Sequence, residues 1–215
     1  MSIQETDFAI AGGAVADVPA PVHAERSLAS RRIVTAFGFW VFLLTDVVMF
    51  SAFFATYVVL ENMTAGGPRG VDVFNIPVVA LETGYLLASS FTCGIASLGA
   101  RARNNLMYYG GMVATFVLGA AFVLQEFSDF SGLVAQGAGP SRSAFLSGYF
   151  ALVGCHGLHV TMGLLFVLTM IAQVFAKGYR PDILRRVLCF ALFWHTLDII
   201  WVGIFTVVYL LGVAL

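Results

Sequence analysis

Residues 33–60 read IVTAFGFWVFLLTDVVMFSAFFATYVVL, a long apolar stretch whose only charged residue is Asp46. About 20 helical residues at ~1.5 Å per residue span the hydrocarbon core of a bilayer, so this stretch predicts a transmembrane helix. Four more apolar runs follow, and runs such as FVLGAAFVL lack the alternation of membrane β-strands. We therefore expect an all-α integral membrane protein with five transmembrane helices. The predicted helices cover about 33–60, 78–100, 106–124, 144–176 and 187–214.

The composition supports this fold class. Of the 215 residues, 60% are hydrophobic and 11% are charged, and the mean hydropathy is +0.91. A chain of this length holds at most about six spans with their loops, so residues 33–215 are expected to form a single membrane domain. Residues 1–32 are expected to form a flexible tail. A cleaved signal peptide is not expected, because the acidic residues Glu5 and Asp7 precede the short apolar run at 8–16.

The basic residues are concentrated in the N-terminal tail and in alternate connections between the predicted helices. The net charge of −1 favours neither an acidic nor a basic partner. Nine basic residues fall in the tail and in the second and fourth connections, and only Arg69 and Arg142 fall in the other two. The positive-inside rule then predicts a cytoplasmic N-terminus and a periplasmic C-terminus. The nine residues are Arg26, Arg31, Arg32, Arg101, Arg103, Lys177, Arg180, Arg185 and Arg186.

Several ionisable side chains lie within the predicted spans, where each needs a structural or functional reason. A spacing of three residues places His156 and His159 on one helix face, and the same spacing relates His195 and Asp198. Glu61, Glu126 and Asp129 fall near predicted helix ends and are expected at the interface. The deep groups are Asp46, Glu82, His156, His159, His195 and Asp198, and we interpret them as a buried polar network.

Three interpretations of these groups remain open on the residues alone. The polar side chains could hydrogen-bond between helices and stabilise the bundle. Histidines could bind one metal ion or one haem, although three membrane histidines are too few for two bis-histidine haems. A carboxylate could take part in proton transfer, and Asp46 is the best candidate because it is deep and has no basic neighbour on its helix. The cysteines Cys93, Cys155 and Cys189 have no paired spacing, so neither a disulfide framework nor a zinc module is expected.

Four motifs resemble subunit III of the haem-copper respiratory oxidases. They are FGFWVFLLTDVVMFSAFFATYVVL at 37–60, LETGYLLASSFTCG at 81–94, GCHGLHV at 154–160 and FWHTLDIIWVGIFTVVYLLG at 193–212. Mitochondrial-type members of that family have seven helices, and the five-helix form is similar to subunit III of bo-type ubiquinol oxidases. At the position where the family usually carries a carbodiimide-reactive glutamate, this chain has Asp46.

The resemblance implies a subunit without an active site, haem or copper of its own, in a complex that oxidises quinol, reduces oxygen to water and pumps protons. The haems and copper are then expected in subunit I, and the implied partners are subunit I, subunits II and IV, membrane lipids and ubiquinol as the substrate of the complex. A bound phospholipid is also implied, together with a role in sustained proton uptake. The expected location is the bacterial inner membrane, and no nucleic-acid partner is expected. The alternatives are subunit III of a cytochrome c oxidase, and a stand-alone transporter or haem-binding protein.

Overall fold

The computed structural model describes the backbone of residues 23–214 and the side chains of residues 33–71 and 73–212. Every regular element in this part of the chain is helical, and five of the helices are long and apolar enough to cross a membrane. The protein is therefore a multi-pass membrane protein. The elements are α1 (His23–Leu60), α2 (Gly70–Val73), α3 (Ile76–Ala102), α4 (Asn105–Ala135), α5 (Ala144–Lys177), α6 (Pro181–Ile204), a π-helical segment (Phe205–Leu210) and α7 (Leu211–Ala214).

Three helix ends differ from the sequence prediction. Helix α1 begins at His23, so residues 23–32 extend the first helix instead of belonging to the expected tail, while residues 1–22 lie outside the described part. The segment HAERSLASRR contains no Gly or Pro, so it suits a helix without being apolar. Helix α4 continues to Ala135 and α6 begins at Pro181, because polar residues end an apolar run without ending a helix.

Capping side chains fix several helix starts. The Asn104 side chain accepts hydrogen bonds from the backbone N–H groups of Leu106 and Met107, at 3.0 and 3.3 Å. The Ser143 hydroxyl accepts one from the N–H of Leu146, at 3.2 Å. These side chains pair backbone donors that the first helical turn leaves free, so α4 and α5 begin at defined residues.

Helices α3, α4, α5 and α6 form a four-helix bundle in which each helix packs mainly against two others, and α1 packs against α5 and α6. The buried residues of α1 are Leu43, Phe50 and Tyr57, which are spaced by seven residues and form one narrow seam. Its remaining surface is largely exposed, as at Phe37 and Val48, each 69% exposed. Helix α1 is therefore peripheral, and most of its apolar surface is left for lipid or for another protein.

Successive long helices run in opposite directions, so the connections alternate between two ends of the bundle. The Tyr179 hydroxyl donates to Oδ1 of Asn105 at 2.8 Å, which joins the α5–α6 and α3–α4 connections. We call this end the basic end, because Arg101, Arg103, Lys177, Arg180, Arg185 and Arg186 lie there. We call the other the opposite end; α5 begins and the π-helical segment ends there, and Arg142 precedes α5.

Candidate functional site

A polar pair on α6 meets α3 in the middle of the bundle. The Ser90 hydroxyl lies 2.9 Å from Nδ1 of His195 and close to the Asp198 carboxylate. His195 and Asp198 lie about one turn apart on α6, so one hydroxyl of α3 reaches both. One carboxylate oxygen of Asp198, Oδ1, is buried without a hydrogen-bond partner in the described residues. The predicted stripe on α6 is half-buried along the contact with α3 and is held by a serine.

His156 lies next to this pair, on α5, and is fully buried. Its ring stacks on Trp201 with the ring centres 5.2 Å apart, and the edges of Phe122 and Phe50 lie against it at 5.9 and 6.2 Å. Neither ring nitrogen has a hydrogen-bond partner in the described residues. A cavity of about 10 Å³ lies between His156 and Asp198, close to the volume that a single buried water needs.

Asp46 and His159 lie on the α1 side of the bundle. Nδ1 of His159 is 2.7 Å from the Cys155 carbonyl oxygen, and its ring lies 5.3 Å from that of Phe50. Asp46 is half-buried and lies within electrostatic range of Cys155. It makes no hydrogen bond or ion pair with the residues that the structure describes. Phe50 contacts both histidines of α5. Its ring therefore lies between the Asp46–His159 side and the pair formed by His195 and Asp198.

The remaining predicted residue, Glu82, lies in a group of carboxyls nearer the opposite end. Glu82 is fully buried, Glu126 is 4% exposed, and the two lie within electrostatic range of each other and of Asp129. Both oxygens of Glu82 and Oε1 of Glu126 lack hydrogen-bond partners in the described residues. The Glu126 side chain is buried inside the bundle, because α4 continues past it to Ala135.

Two tyrosines connect this acidic group with the opposite end. The hydroxyls of Tyr149 and Tyr209 lie 3.2 Å apart, and both side chains are buried within electrostatic range of Glu82 and Glu126. A cavity of about 190 Å³ is lined by both tyrosines and by Asp129. The structure thus places a second polar group, separate from the His156–Asp198 region, on the side of the bundle that carries few basic residues.

Indole and hydroxyl groups fasten α6 to α3. Nε1 of Trp194 donates to the Ser89 hydroxyl and Nε1 of Trp201 donates to the Thr83 hydroxyl, each at 3.0 Å. Ser89, Ser90 and Thr83 were not predicted as site residues, although they lie in the LETGYLLASS segment of α3. Ser and Thr are common in membrane helices as donors to their own backbone, so these residues carried no signal of their own. The described residues contain no group of three or more His, Cys, Asp or Glu side chains that could hold a metal ion.

Comparison with known proteins places these motifs in a family. The family model for cytochrome c oxidase subunit III matches residues 23–213. This chain belongs to the cytochrome c oxidase subunit III family. The match covers all five membrane helices, so the resemblance of the four motifs to this family is confirmed.

Curated members of the subunit III family are similar over most of their length. The cytochrome bo(3) ubiquinol oxidase subunit 3 of Pseudomonas aeruginosa is 51% identical over 178 residues, which are 83% of this chain and 85% of that protein. The protein of the same name from Buchnera aphidicola subsp. Schizaphis graminum is 40% identical over 82% of this chain and 94% of its own. Quinol oxidase subunit 3 of Bacillus subtilis is 42% identical over 81% and 86%.

Proposed function

We propose that this chain is the non-catalytic subunit III of a bo-type quinol oxidase, a complex that oxidises quinol, reduces oxygen to water and pumps protons. The observation that carries the proposal is the 51% identity to a protein named as a bo(3) ubiquinol oxidase subunit over 83% of the chain. The similar proteins from Pseudomonas and from Bacillus are named as quinol oxidase subunits. Quinol is therefore favoured over cytochrome c as the electron donor of the complex.

The main contact with the oxidase is proposed to be subunit I, through α1. Apart from its seam, α1 presents exposed large side chains such as Phe37, Val48 and Val59, a larger apolar surface than the other helices leave. A surface that faces lipid and one that faces another subunit are both apolar. The half-buried Asp46 is the feature of α1 that distinguishes the two. A lipid-facing carboxylate costs several kcal/mol, roughly, unless it finds a polar partner. We infer that another subunit, or water held between subunits, supplies that partner.

The charge pattern supports the proposed orientation, and the family supports the proposed location. With six described basic residues at one end, the positive-inside rule places the basic end in the cytoplasm and the C-terminus in the periplasm. The membrane is then the bacterial inner membrane, as expected for a respiratory complex. Subunits II and IV are proposed as further partners, and the haems and copper are assigned to subunit I.

The role of Asp46 is tested by Asp46→Asn in the assembled oxidase. The amide keeps the shape of the side chain and removes its charge, so proton pumping or the number of turnovers before inactivation should fall while assembly is retained. Asp182→Asn is the matched control, because Asp182 is an exposed acid in the first turn of α6 that pairs with Arg185. If Asp46→Asn matches the parent in pumping, turnover lifetime and assembly, Asp46 has no role in proton uptake.

The identity of the complex is tested by purification. The chain should copurify with a large haem-bearing subunit, and the complex should oxidise ubiquinol faster than reduced cytochrome c. Preference for cytochrome c would identify a cytochrome c oxidase instead. A monodisperse isolated chain with its own haem absorption band would contradict the assignment to an oxidase complex.

A further inference from the structure

A small cavity lies where α3, α5 and α6 meet in the middle of the bundle. Its volume is about 10 Å³, and two polar side chains line it, His156 of α5 and Asp198 of α6. The other lining residues are apolar or aromatic: Leu86, Val160, Trp194 and Leu197. The indole N–H of Trp194 already donates to the Ser89 hydroxyl. Among the lining side chains, hydrogen-bonding groups therefore remain available on His156 and Asp198.

Both of these side chains carry buried atoms without a partner. Neither Nδ1 nor Nε2 of His156 hydrogen-bonds to any residue that the structure describes, and neither does Oδ1 of Asp198. The His156 side chain is fully buried. Buried polar atoms in folded proteins are almost always hydrogen-bonded, either to protein or to ordered water, because an unpaired one keeps its full desolvation cost. Two unpaired groups that line one cavity therefore point to a shared ligand within it.

We propose that this cavity binds one water molecule, which hydrogen-bonds both His156 and Asp198 and joins α5 to α6. A single buried water needs roughly 10–15 Å³ and two to four polar partners, and the cavity provides both. The water donates one O–H to Oδ1 of Asp198, which has a free lone pair to accept it. A neutral imidazole has one N–H and one bare nitrogen, so His156 can complete the bridge as a donor or as an acceptor.

The chemistry of the cavity favours water over other small occupants. A metal ion takes four or more ligands, and the part of the chain that the structure describes contains no group of three or more His, Cys, Asp or Glu side chains that could hold one. Dry cavities are lined by apolar groups alone, whereas an imidazole and a carboxylate line this one. A volume of about 10 Å³ is also too small for an organic ligand.

The bridging water extends the polar contact between α3 and α6 to a third helix. The Ser90 hydroxyl of α3 lies 2.9 Å from Nδ1 of His195 and close to the Asp198 carboxylate. The water continues this series of polar groups from Asp198 to His156 of α5. One exchangeable molecule thus connects deep polar residues that the sequence places on separate helices. The site lies within this chain and is independent of the electron donor that the complex uses.

The direct test is a cryo-EM map of the complex that contains this chain, at a resolution that shows ordered water. One density peak should lie about 2.7–3.2 Å from both a ring nitrogen of His156 and Oδ1 of Asp198. His156→Phe keeps an aromatic ring but removes both nitrogens, so the peak should disappear. Asp198→Asn keeps hydrogen-bonding groups at the same place, so the peak should remain. A parent map without the peak, or an unchanged peak in His156→Phe, would overturn the proposal.

A cavity-filling substitution gives opposite results for a cavity that holds water and for a dry one. Val160 is buried and lines the cavity, so the extra methylene of Val160→Ile should displace the water and leave both polar groups unpaired. The temperature at which this chain leaves the detergent-solubilised complex should then fall by roughly 2–12 °C. In a His156→Leu background, where the bridge is already lost, the same substitution should cost less.

Two outcomes of this second experiment would contradict a bound water. A higher release temperature for Val160→Ile than for the parent would identify a dry cavity that the methylene fills. An equal fall in the parent and in the His156→Leu background would indicate steric overpacking alone. Neither the map nor the release temperature measures oxidase activity, so failure of this proposal is distinguishable from failure of the proposed function.

Discussion

Gly163→Ala tests whether close packing around Trp194 stabilises the helix bundle. The Trp194 indole lies in a slot between Gly119 of α4 and Gly163 of α5, and its Nε1 donates to Ser89 of α3. One residue of α6 therefore contacts three other helices. A methyl group on Gly163 would lie 2.7 Å from Cζ3 of the indole, and one on Gly119 would lie 2.9 Å from Cη2.

The expected magnitude follows from these distances. Carbon atoms in contact are ordinarily about 3.5–4.0 Å apart, so the Ala methyl must displace the indole by roughly 1 Å. The hydrogen bond to Ser89 and the close approach to Gly119 oppose that movement. Overpacking of this kind costs about 1–3 kcal/mol. Gly157→Ala is the control on the same helix, because a methyl group there meets no atom within 4 Å. Both variants gain the same helix propensity, so their difference isolates the steric cost.

The assay is the temperature at which subunit III leaves the detergent-solubilised complex, followed by size exclusion. A cost of about 1–3 kcal/mol at roughly 2–4 °C per kcal/mol predicts a midpoint about 2–12 °C lower for Gly163→Ala than for Gly157→Ala. Gly119→Ala should behave like Gly163→Ala. Equal midpoints for Gly163→Ala and Gly157→Ala would show that the slot around Trp194 is not tightly packed and would refute this reasoning.

Substitutions at three further positions test two buried polar groups and one helix cap. Glu82→Gln removes one of two adjacent buried carboxyls and keeps its shape, so the release midpoint should be retained or raised; a drop as large as that of Gly163→Ala would mean that the carboxyl itself is required. His156→Phe should assemble with a loss below about 1.5 kcal/mol, because the ring is held by aromatic packing, whereas His156→Ala should cost about 3–5 kcal/mol through the cavity that it leaves. Equal losses for the two would contradict this assignment. Asn104→Ala removes the cap of α4 and should cost about 1 kcal/mol, seen as faster amide exchange in its first turn; unchanged exchange would assign no stabilising role to the cap.

The membrane helices were predictable from the sequence because lipid enforces a simple rule. Every backbone group must be paired within the segment, so a long apolar run in this chain indicates a helix. The helix ends were less predictable, because an apolar run marks the part of a helix inside the membrane and not the whole helix. Gln125, Glu126 and Asp129 are polar, and the apolar pattern therefore stops at Leu124, yet the backbone remains helical to Ala135.

The polar groups illustrate the same limit for the candidate site. Spacing alone places His195 and Asp198 on one face of α6, because this relation is local. Their partner Ser90 lies 105 residues before His195, and its position depends on how α3 and α6 are aligned. Loop lengths and helix packing set that alignment. They leave no periodic pattern of residues from which it could be predicted in a single sequence. Ser and Thr are common in membrane helices as donors to their own backbone, so Ser90 carried no signal of its own.

Several polar side chains lack hydrogen-bond partners in the described residues. Where each one lies indicates whether it acts within this chain or between subunits. Glu82 and His156 are completely enclosed by this chain, so substitutions there act first on the packing of the bundle. Asp46 is half-buried on the peripheral helix α1 and lacks a partner within the described residues. A neighbouring subunit can reach only the second kind of group. Asp46→Asn should therefore shorten turnover lifetime with assembly retained, while His156→Ala should lower the release temperature by more than Asp46→Asn does. The reverse order would place the functional carboxyl inside the bundle rather than on α1.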